Sequence, residues 1–133
     1  MNFKITLRGF DKLPARIQAP FSPSVLSDIA RKSGTIVQMG AKMYPPKRPN
    51  QIYVRTFRLR SNWIRKRLEI SGNIVRQTVS NKTPYARWVQ LEGSQNRYHI
   101  GRWYTTLQIL EGNKKPIVDY ALGRLNDALK RGK

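Results

Sequence analysis

The spacing between apolar residues changes three times along this chain, and that succession excludes both an all-helical and an all-β fold. Asn2 to Arg8 places Phe3, Ile5 and Leu7 on one face and Lys4, Thr6 and Arg8 on the other, which is the period of a strand with one wet side. From Ser24 to Met43, the residues Val25, Ile29, Ile36, Val37, Gly40 and Met43 recur at three, four and seven, as on one side of a helix. Ser22-Pro23 or Ser24 suits its cap, and Asp28 and Lys42 suit its first and last turns. Arg65 to Ile70 and Asn73 to Ser80 are rich in β-branched residues about Ser71-Gly72, the pattern of a tight hairpin. Pro116 to Arg131 returns to helical spacing through Ile117, Val118, Ala121, Leu122, Leu125 and Leu129, with Asp119 early and Lys130 and Arg131 late. The expected fold is α+β in one domain over residues 1–133: a small antiparallel sheet, made of the N-terminal strand and a central hairpin, packed on a long helix, with a C-terminal amphipathic helix.

The segments between are shaped by proline and glycine. After Gly9, a short helix is expected in Phe10 to Gln18 following Asp11, with Pro14 in its first turn. Tyr44 to Tyr53 carries Pro45, Pro46 and Pro49 and is expected to be a loop. Thr56 to Trp63 fits a strand or a helical turn capped by Thr56, and a short helix is expected there. Thr83-Pro84 reads as a cap and first helical residue before the stripe Tyr85, Trp88, Val89. Gln95 to Gly101 is polar connection, and Trp103, Leu107 and Leu110 suggest one or two helical turns stopped by Gly112 and Asn113.

Charge restricts the function. The 133 residues hold 26 Lys and Arg against 7 Asp and Glu, a formal net charge of +19. An apolar fraction of 39% is too high for a disordered basic tail. A folded domain this basic draws anions: nucleic acid first, then phospholipid surfaces or acidic proteins. Between Lys42 and Arg67 the basic residues Lys42, Lys47, Arg48, Arg55, Arg58, Arg60, Arg65, Lys66 and Arg67 occur without a carboxylate. They read as a contact face for phosphate or an acidic surface, against the plainer alternative of a solvated face. Tyr44, Tyr53, Tyr85, Trp88, Tyr98, Trp103 and Tyr104 lie among the cations. Such aromatics stack on unpaired bases in some proteins, but Trp63, Trp88 and Trp103 fall on or beside predicted apolar stripes, which favours packing.

Catalysis finds little material. There is no cysteine and one histidine, His99, so no thiolate metal site, disulfide or cysteine nucleophile is expected. His99 lies between Tyr98 and Ile100 with no readable partner. The carboxylates Asp11, Asp28, Glu69, Glu92, Glu111, Asp119 and Asp127 are scattered, and no phosphate-cradling glycine motif occurs. No enzyme activity, metal or cofactor is expected. The alternating opening and the lack of any run near the roughly 18 apolar residues of a membrane helix suggest a soluble, intracellular chain with no membrane partner.

Three strings in order resemble the tail-completion, or head-to-tail joining, proteins of long-tailed bacteriophages, a family of neck and minor tail components. Lys4-Ile5-Thr6-Leu7-Arg8-Gly9-Phe10-Asp11-Lys12-Leu13 is similar to that family's first strand, glycine and short helix start. Tyr44-Pro45-Pro46-Lys47-Arg48-Pro49, followed by Tyr53-Val54-Arg55-Thr56-Phe57-Arg58-Leu59-Arg60-Ser61-Asn62-Trp63, resembles its Tyr-Pro-Pro and Arg-Thr-Gly-x-Leu-x-x-Ser/Trp stretch. Asn81-Lys82-Thr83-Pro84-Tyr85-Ala86-Arg87-Trp88-Val89-Gln90 resembles its Tyr-Ala-x-Tyr-Val-Glu/Gln helix. Phe57 stands where the family often has glycine, and Gly93-Ser94-Gln95 replaces its common Gly-Thr.

The resemblance implies a small α+β domain, not an enzyme, working as copies in a ring at the virion neck after assembly in the host cytoplasm. Its partners would be copies of itself, the neighbouring connector, tail-terminator or tail proteins, and genomic DNA in the channel. A ring of this kind needs two different complementary patches per subunit. Lys47, Arg48, Arg55, Arg58, Arg60, Arg65, Lys66 and Arg67 are the candidate patch toward DNA or an acidic neighbouring ring. Tyr85, Trp88 and Val89 are candidates for subunit packing, with the tail Lys130-Arg131-Gly132-Lys133. The alternatives are a free-standing nucleic-acid-binding module, ribosome- or nucleoid-associated, and a small nuclease or toxin using His99.

Overall fold

The computed structural model describes residues 1–8, 22–52, 56–72 and 74–131. The helix expected over Phe10 to Gln18 and the residues Gly9, Tyr53, Val54, Arg55 and Asn73 lie outside the described residues. The described chain runs β1 (Asn2–Leu7), α1 (Pro23–Ala41), α2 (Arg58–Ser61), β2 (Trp63–Arg65), β3 (Glu69–Ser71), β4 (Ile74–Asn81), α3 (Ala86–Gln90) and α4 (Thr106–Arg131). This is the expected α+β architecture.

β4 is the centre of an antiparallel sheet, with β1 on one edge and β2 and β3 sharing the other. Phe3, Ile5 and Leu7 pair with Val79, Gln77 and Val75, so the odd-numbered residues of both strands share one face, as the two-residue period requires. That face meets α1. Phe3, Val79 and Trp63 pack with Val37 and Ala41 of α1 and Ile109 of α4. Val75 packs with Leu26 and Ala30, about two to three helical turns nearer the start of α1. A third cluster joins Leu59, Ala86, Val89 and Trp103.

The expected hairpin arm is divided. Arg65 pairs with Val79 and Glu69 with Arg76, so the three residues Lys66 to Leu68 face only the two residues Gln77 and Thr78. This offset is a β-bulge, which bends the strand and re-aims its side chains. Lys66 N–H still donates to Thr78 O at 2.9 Å, and Gln77 Nε2 donates to Lys66 O at 2.6 Å.

α1 begins with Ser22 as its cap, whose Oγ accepts from Val25 N–H at 3.4 Å, and Pro23 is the first helical residue. With that start, Asp28 lies beyond the first turn, where it accepts from Arg124 Nη2 of α4 at 2.8 Å. Lys42 is the C-terminal cap, not a last-turn residue. The buried face is Leu26, Ile29, Ala30, Ser33, Gly34, Val37 and Ala41, and Met43 is outside it. Two glycines set how closely α1 approaches its neighbours. A Cβ at Gly34 would lie 2.6 Å from Gln77 Cγ, and one at Gly40 would lie 2.7 Å from Asn113 Nδ2 of α4.

α4 corrects the expectation of two separate helices. It runs unbroken through Gly112, Asn113 and Pro116. Proline in a helix loses one backbone donor and crowds the carbonyl four residues before it. Here that residue is Gly112, which adds no side chain to the crowding. Asn113 does not end the helix: its Nδ2 donates back to Ile109 O at 2.7 Å, at the crossing with Gly40. Asp119 pairs with Lys115 at 2.6 Å within α4 and is not near its start.

Two caps also differ from expectation. Thr56 does not cap α2: the N-cap is Phe57, with φ 56 and no side-chain bond. Thr83 does not cap α3 with its hydroxyl: the N-cap is Tyr85, again without a side-chain bond. Asn81 Oδ1 instead accepts from Thr83 N–H at 2.8 Å, and Thr83 O accepts from Ala86 N–H at 3.1 Å.

Candidate basic and apolar interface

The cations expected as one patch are distributed over three places. The bulge gathers the first group. Arg65, Lys66 and Arg67 line a concavity with Arg31 of α1, beside Leu68, Ile70 and Gln77. Arg65 Nη1 donates to Thr35 Oγ1 of α1 at 2.9 Å, which holds the guanidinium against the helix. The lining carries no carboxylate among the described residues. Four cations at one concave place focus a positive potential and suit phosphate oxygens. Arg31 escaped the sequence reading because it lies about thirty-five residues from the bulge in sequence; only the packing of α1 on the sheet brings it there.

The second group, Lys47 and Arg48, is exposed in the proline loop. A turn ties this loop locally: Gln51 N–H donates to Arg48 O, and Arg48 N–H donates to Gln51 Oε1, both at 3.1 Å. Arg102 anchors the loop from across the chain, its Nη2 donating to Pro46 O at 3.2 Å. Arg58 and Arg60 form the third group on α2 and are exposed. Arg55 lies outside the described residues.

Of the aromatic candidates, Tyr44 holds a central position. Its ring meets Trp103 edge-on at 4.7 Å and Phe57 edge-on at 5.1 Å, and its hydroxyl accepts from Arg60 N–H at 3.3 Å. Trp63 and Trp103 are buried core residues, as the stripe argument expected. Tyr85 and Trp88 remain on the surface, but Val89 is only 6% exposed and belongs to the cluster with Leu59 and Ala86. Val89 is therefore corrected from a subunit-packing candidate to a core residue, because it packs with Leu59, Ala86 and Trp103 while its neighbour Trp88 is turned outward. Arg87 lies over the Trp88 ring at 4.2 Å, and Arg97 over Tyr98 at 4.8 Å, so each ring already has a cation on one face. The tail candidate Lys130-Arg131 ends α4, and Gly132 and Lys133 lie outside the described residues.

His99 sits on a turn whose carbonyl accepts from Arg102 and Trp103 N–H, both at 3.0 Å, and from Gln95 Nε2 at 3.3 Å. Its ring meets Trp103 edge-on at 6.3 Å. Burial, and then the Arg102 guanidinium, hold its pKa below the ordinary 6.5. Nδ1 is buried without a partner. Among the described residues no three His, Asp or Glu side chains come together to hold a metal ion, and no helix is long and apolar enough to cross a membrane.

A groove that the sequence reading missed runs between the end of α1, the following loop and α2. Ile36, Met39, Met43, Tyr44 and Phe57 line it, with Lys42 and Arg60 at its rim. Ile36, Gly40 and Met43 lie on the expected helical period, but Phe57 and Arg60 come from a distant segment, so only the packing shows a groove between them. No family model, curated protein or solved structure matches this chain.

Proposed function

We propose that this chain is a structural virion protein of a tailed bacteriophage, one of several copies that close a ring at the neck and join head to tail around the DNA channel. The observation that carries this reading is the backbone at Phe57. The Arg-Thr-x-x-Leu string resembles the joining-protein pattern at a position where the family often has glycine, and Phe57 adopts φ 56, the left-handed shape that glycine takes without strain. The fold thus asks at this position for what the family pattern supplies. Two dissimilar exposed surfaces, the bulge cations and the exposed Tyr85 and Trp88, are also what a head-to-tail ring contact requires of each subunit.

On this reading the chain performs no catalysis, and it takes no cofactor and no membrane partner. Its work is docking: copies of itself, connector, tail-terminator or tail proteins, and DNA in the channel. Arg65, Lys66 and Arg67 with Arg31 serve the DNA or an acidic neighbour. The protein assembles in the host cytoplasm and resides in the virion. Electron microscopy of lysates from a phage carrying a nonsense mutation in this gene tests the role. Filled heads and separate or unfinished tails support it, and normally joined particles reject it.

The convergence of Arg31 with the bulge cations favours one second reading, a free-standing nucleic-acid-binding protein. It predicts normally joined particles in the nonsense mutant, together with duplex binding that weakens steeply with salt.

A further inference from the structure

We propose that the groove between α1 and α2 is a docking site for an acidic segment of a partner protein that inserts an apolar side chain between Met43 and Phe57. The inference does not depend on the joining role. It starts from exposure: Met39 and Met43 are 66% and 65% exposed, on the last turn of α1 and just beyond it. Methionine side chains are unbranched and polarisable and adapt to an inserted partner. Together with Ile36 and Phe57 they line a cleft of about 680 Å³. Met43 and Tyr44 also line a second cleft of about 400 Å³ beside Pro45, Trp103 and Tyr104. The two clefts therefore meet at Met43 and Tyr44, which line both.

The second observation is strain. Phe57 is the one non-glycine with positive φ among the described residues. A left-handed backbone at such a residue costs on the order of 1–2 kcal/mol, and strain of this kind persists where the surroundings hold it and concentrates at binding clamps. Phe57 is held by its edge contact with Tyr44 and by its carbonyl, which accepts from Ser61 N–H at 3.0 Å and Ser61 Oγ at 3.1 Å, and the strained residue supplies a half-exposed aromatic wall for the cleft.

The third observation chooses the occupant. Lys42 and Arg60 stand at the first cleft and Arg102 at the second, and neither lining contains a carboxylate among the described residues. Arg102 is held by its bond to Pro46 O. An apolar floor with a cationic rim complements a segment carrying acidic residues around an apolar anchor. It disfavours a second copy of this chain, whose net charge is +19. The methionine-lined floor, unlike the bulge concavity, is poorly matched to a nucleic-acid backbone.

The test is selection of short random peptides displayed on a carrier against the full-length protein at physiological salt, where exposed charges more than about 8 Å apart are largely screened. The expected winners combine Asp or Glu with Leu, Met, Phe or Trp. Their binding should weaken about tenfold or more, roughly 1.4 kcal/mol, in Met43→Glu and in Arg60→Glu. It should be retained in Arg67→Glu at the bulge. Both groove positions are exposed, and unchanged melting of each variant excludes unfolding as the cause. No enriched sequence, winners without apolar residues, or equal losses in Arg60→Glu and Arg67→Glu would overturn the proposal. So would self-association of the protein that Met43→Glu abolishes in sedimentation, which would make a second copy the occupant. The phage nonsense phenotype is decided separately, because it reports loss of the whole chain, whereas the peptide selection reports only what the groove binds.

Discussion

Trp63 Nε1 donates to Gln90 Oε1 at 3.2 Å, and the same Gln90 gives its Nε2 to Ala41 O at 3.2 Å. One buried amide thus ties β2, the end of α1 and α3 at the meeting point of two apolar clusters. Replacing Gln90 by methionine keeps the approximate shape but leaves the indole N–H and the Ala41 carbonyl buried without partners. A stability loss of about 2–3 kcal/mol is expected, seen as a fall in Tm of about 10 °C by calorimetry. An unchanged melt would mean that water replaces the amide.

Gly40 and Asn113 are coupled at the crossing of α1 and α4. Alanine in a helix interior ordinarily gains about 1 kcal/mol over glycine. Here the new Cβ would fall 2.7 Å from Asn113 Nδ2, which is held by Ile109 O. Gly40→Ala is expected to destabilise the native chain, and to lose that penalty in an Asn113→Ala background. Urea denaturation of the double-mutant cycle should give a coupling of about 1 kcal/mol or more.

Phe57 separates strain from contact. Both Phe57→Gly and Phe57→Val remove the edge contact with Tyr44, but only glycine relaxes the φ of 56. The glycine variant should be more stable than the valine variant by about 1–2 kcal/mol in urea denaturation. Equal stability would show that no strain is stored there.

His99 sets a pH dependence with a definite sign. Its folded pKa lies below the ordinary 6.5 because of burial and Arg102, so the unfolded chain takes up the proton first. The contribution is complete above that value and is lost as the pH falls through the window just beneath it. Thermal melts from pH of about 7 to about 5 should show Tm decreasing, and His99→Gln should flatten that part of the profile. A histidine variant with the native slope would transfer the effect to other groups.

The bulge cations predict a salt dependence. If Lys66 and Arg67 each contact a phosphate, Lys66→Ala and Arg67→Ala should each reduce the slope of log binding constant against log salt by about 1 on duplex DNA. Lys115→Ala, which removes a lysine already paired with Asp119, should leave it unchanged. Fluorescence anisotropy in a salt series measures all three. Unaltered slopes at the bulge would turn that concavity toward a protein partner.

Much of the fold was legible because local pattern carried it. β1 ends within a residue of its expected boundary, since strict alternation has one reading. The helix after Ser22 and the hairpin about Gly72 follow from cap, period and turn chemistry. The interior of the site was less legible. Gln38, Gln77, Asn81, Gln90 and Gln95 each donate a side-chain hydrogen bond to a backbone carbonyl, and polar residues in a core leave no apolar period to detect. The division of the hairpin arm at Lys66 to Leu68 was hidden for a similar reason: a bulge shifts register without altering composition. The gathering of Arg31 with Arg65, and of Met39 with Phe57, depends on contacts between segments far apart in sequence.

By itself the sequence determined the class of fold, the positions of its main elements, the excess of positive charge and the poverty of catalytic groups, because each follows from residue type and near-neighbour spacing. Only the tertiary structure decided that Val89 is core while Trp88 is surface, that Gly112 to Pro116 continues a helix, and that the cations divide between a bulge, a loop and a groove rim. These outcomes are set by which elements approach closely enough to exclude water, and the approach of α1 to the sheet and to α4 rests on two glycines whose effect appears only when the partners Gln77 and Asn113 are in place.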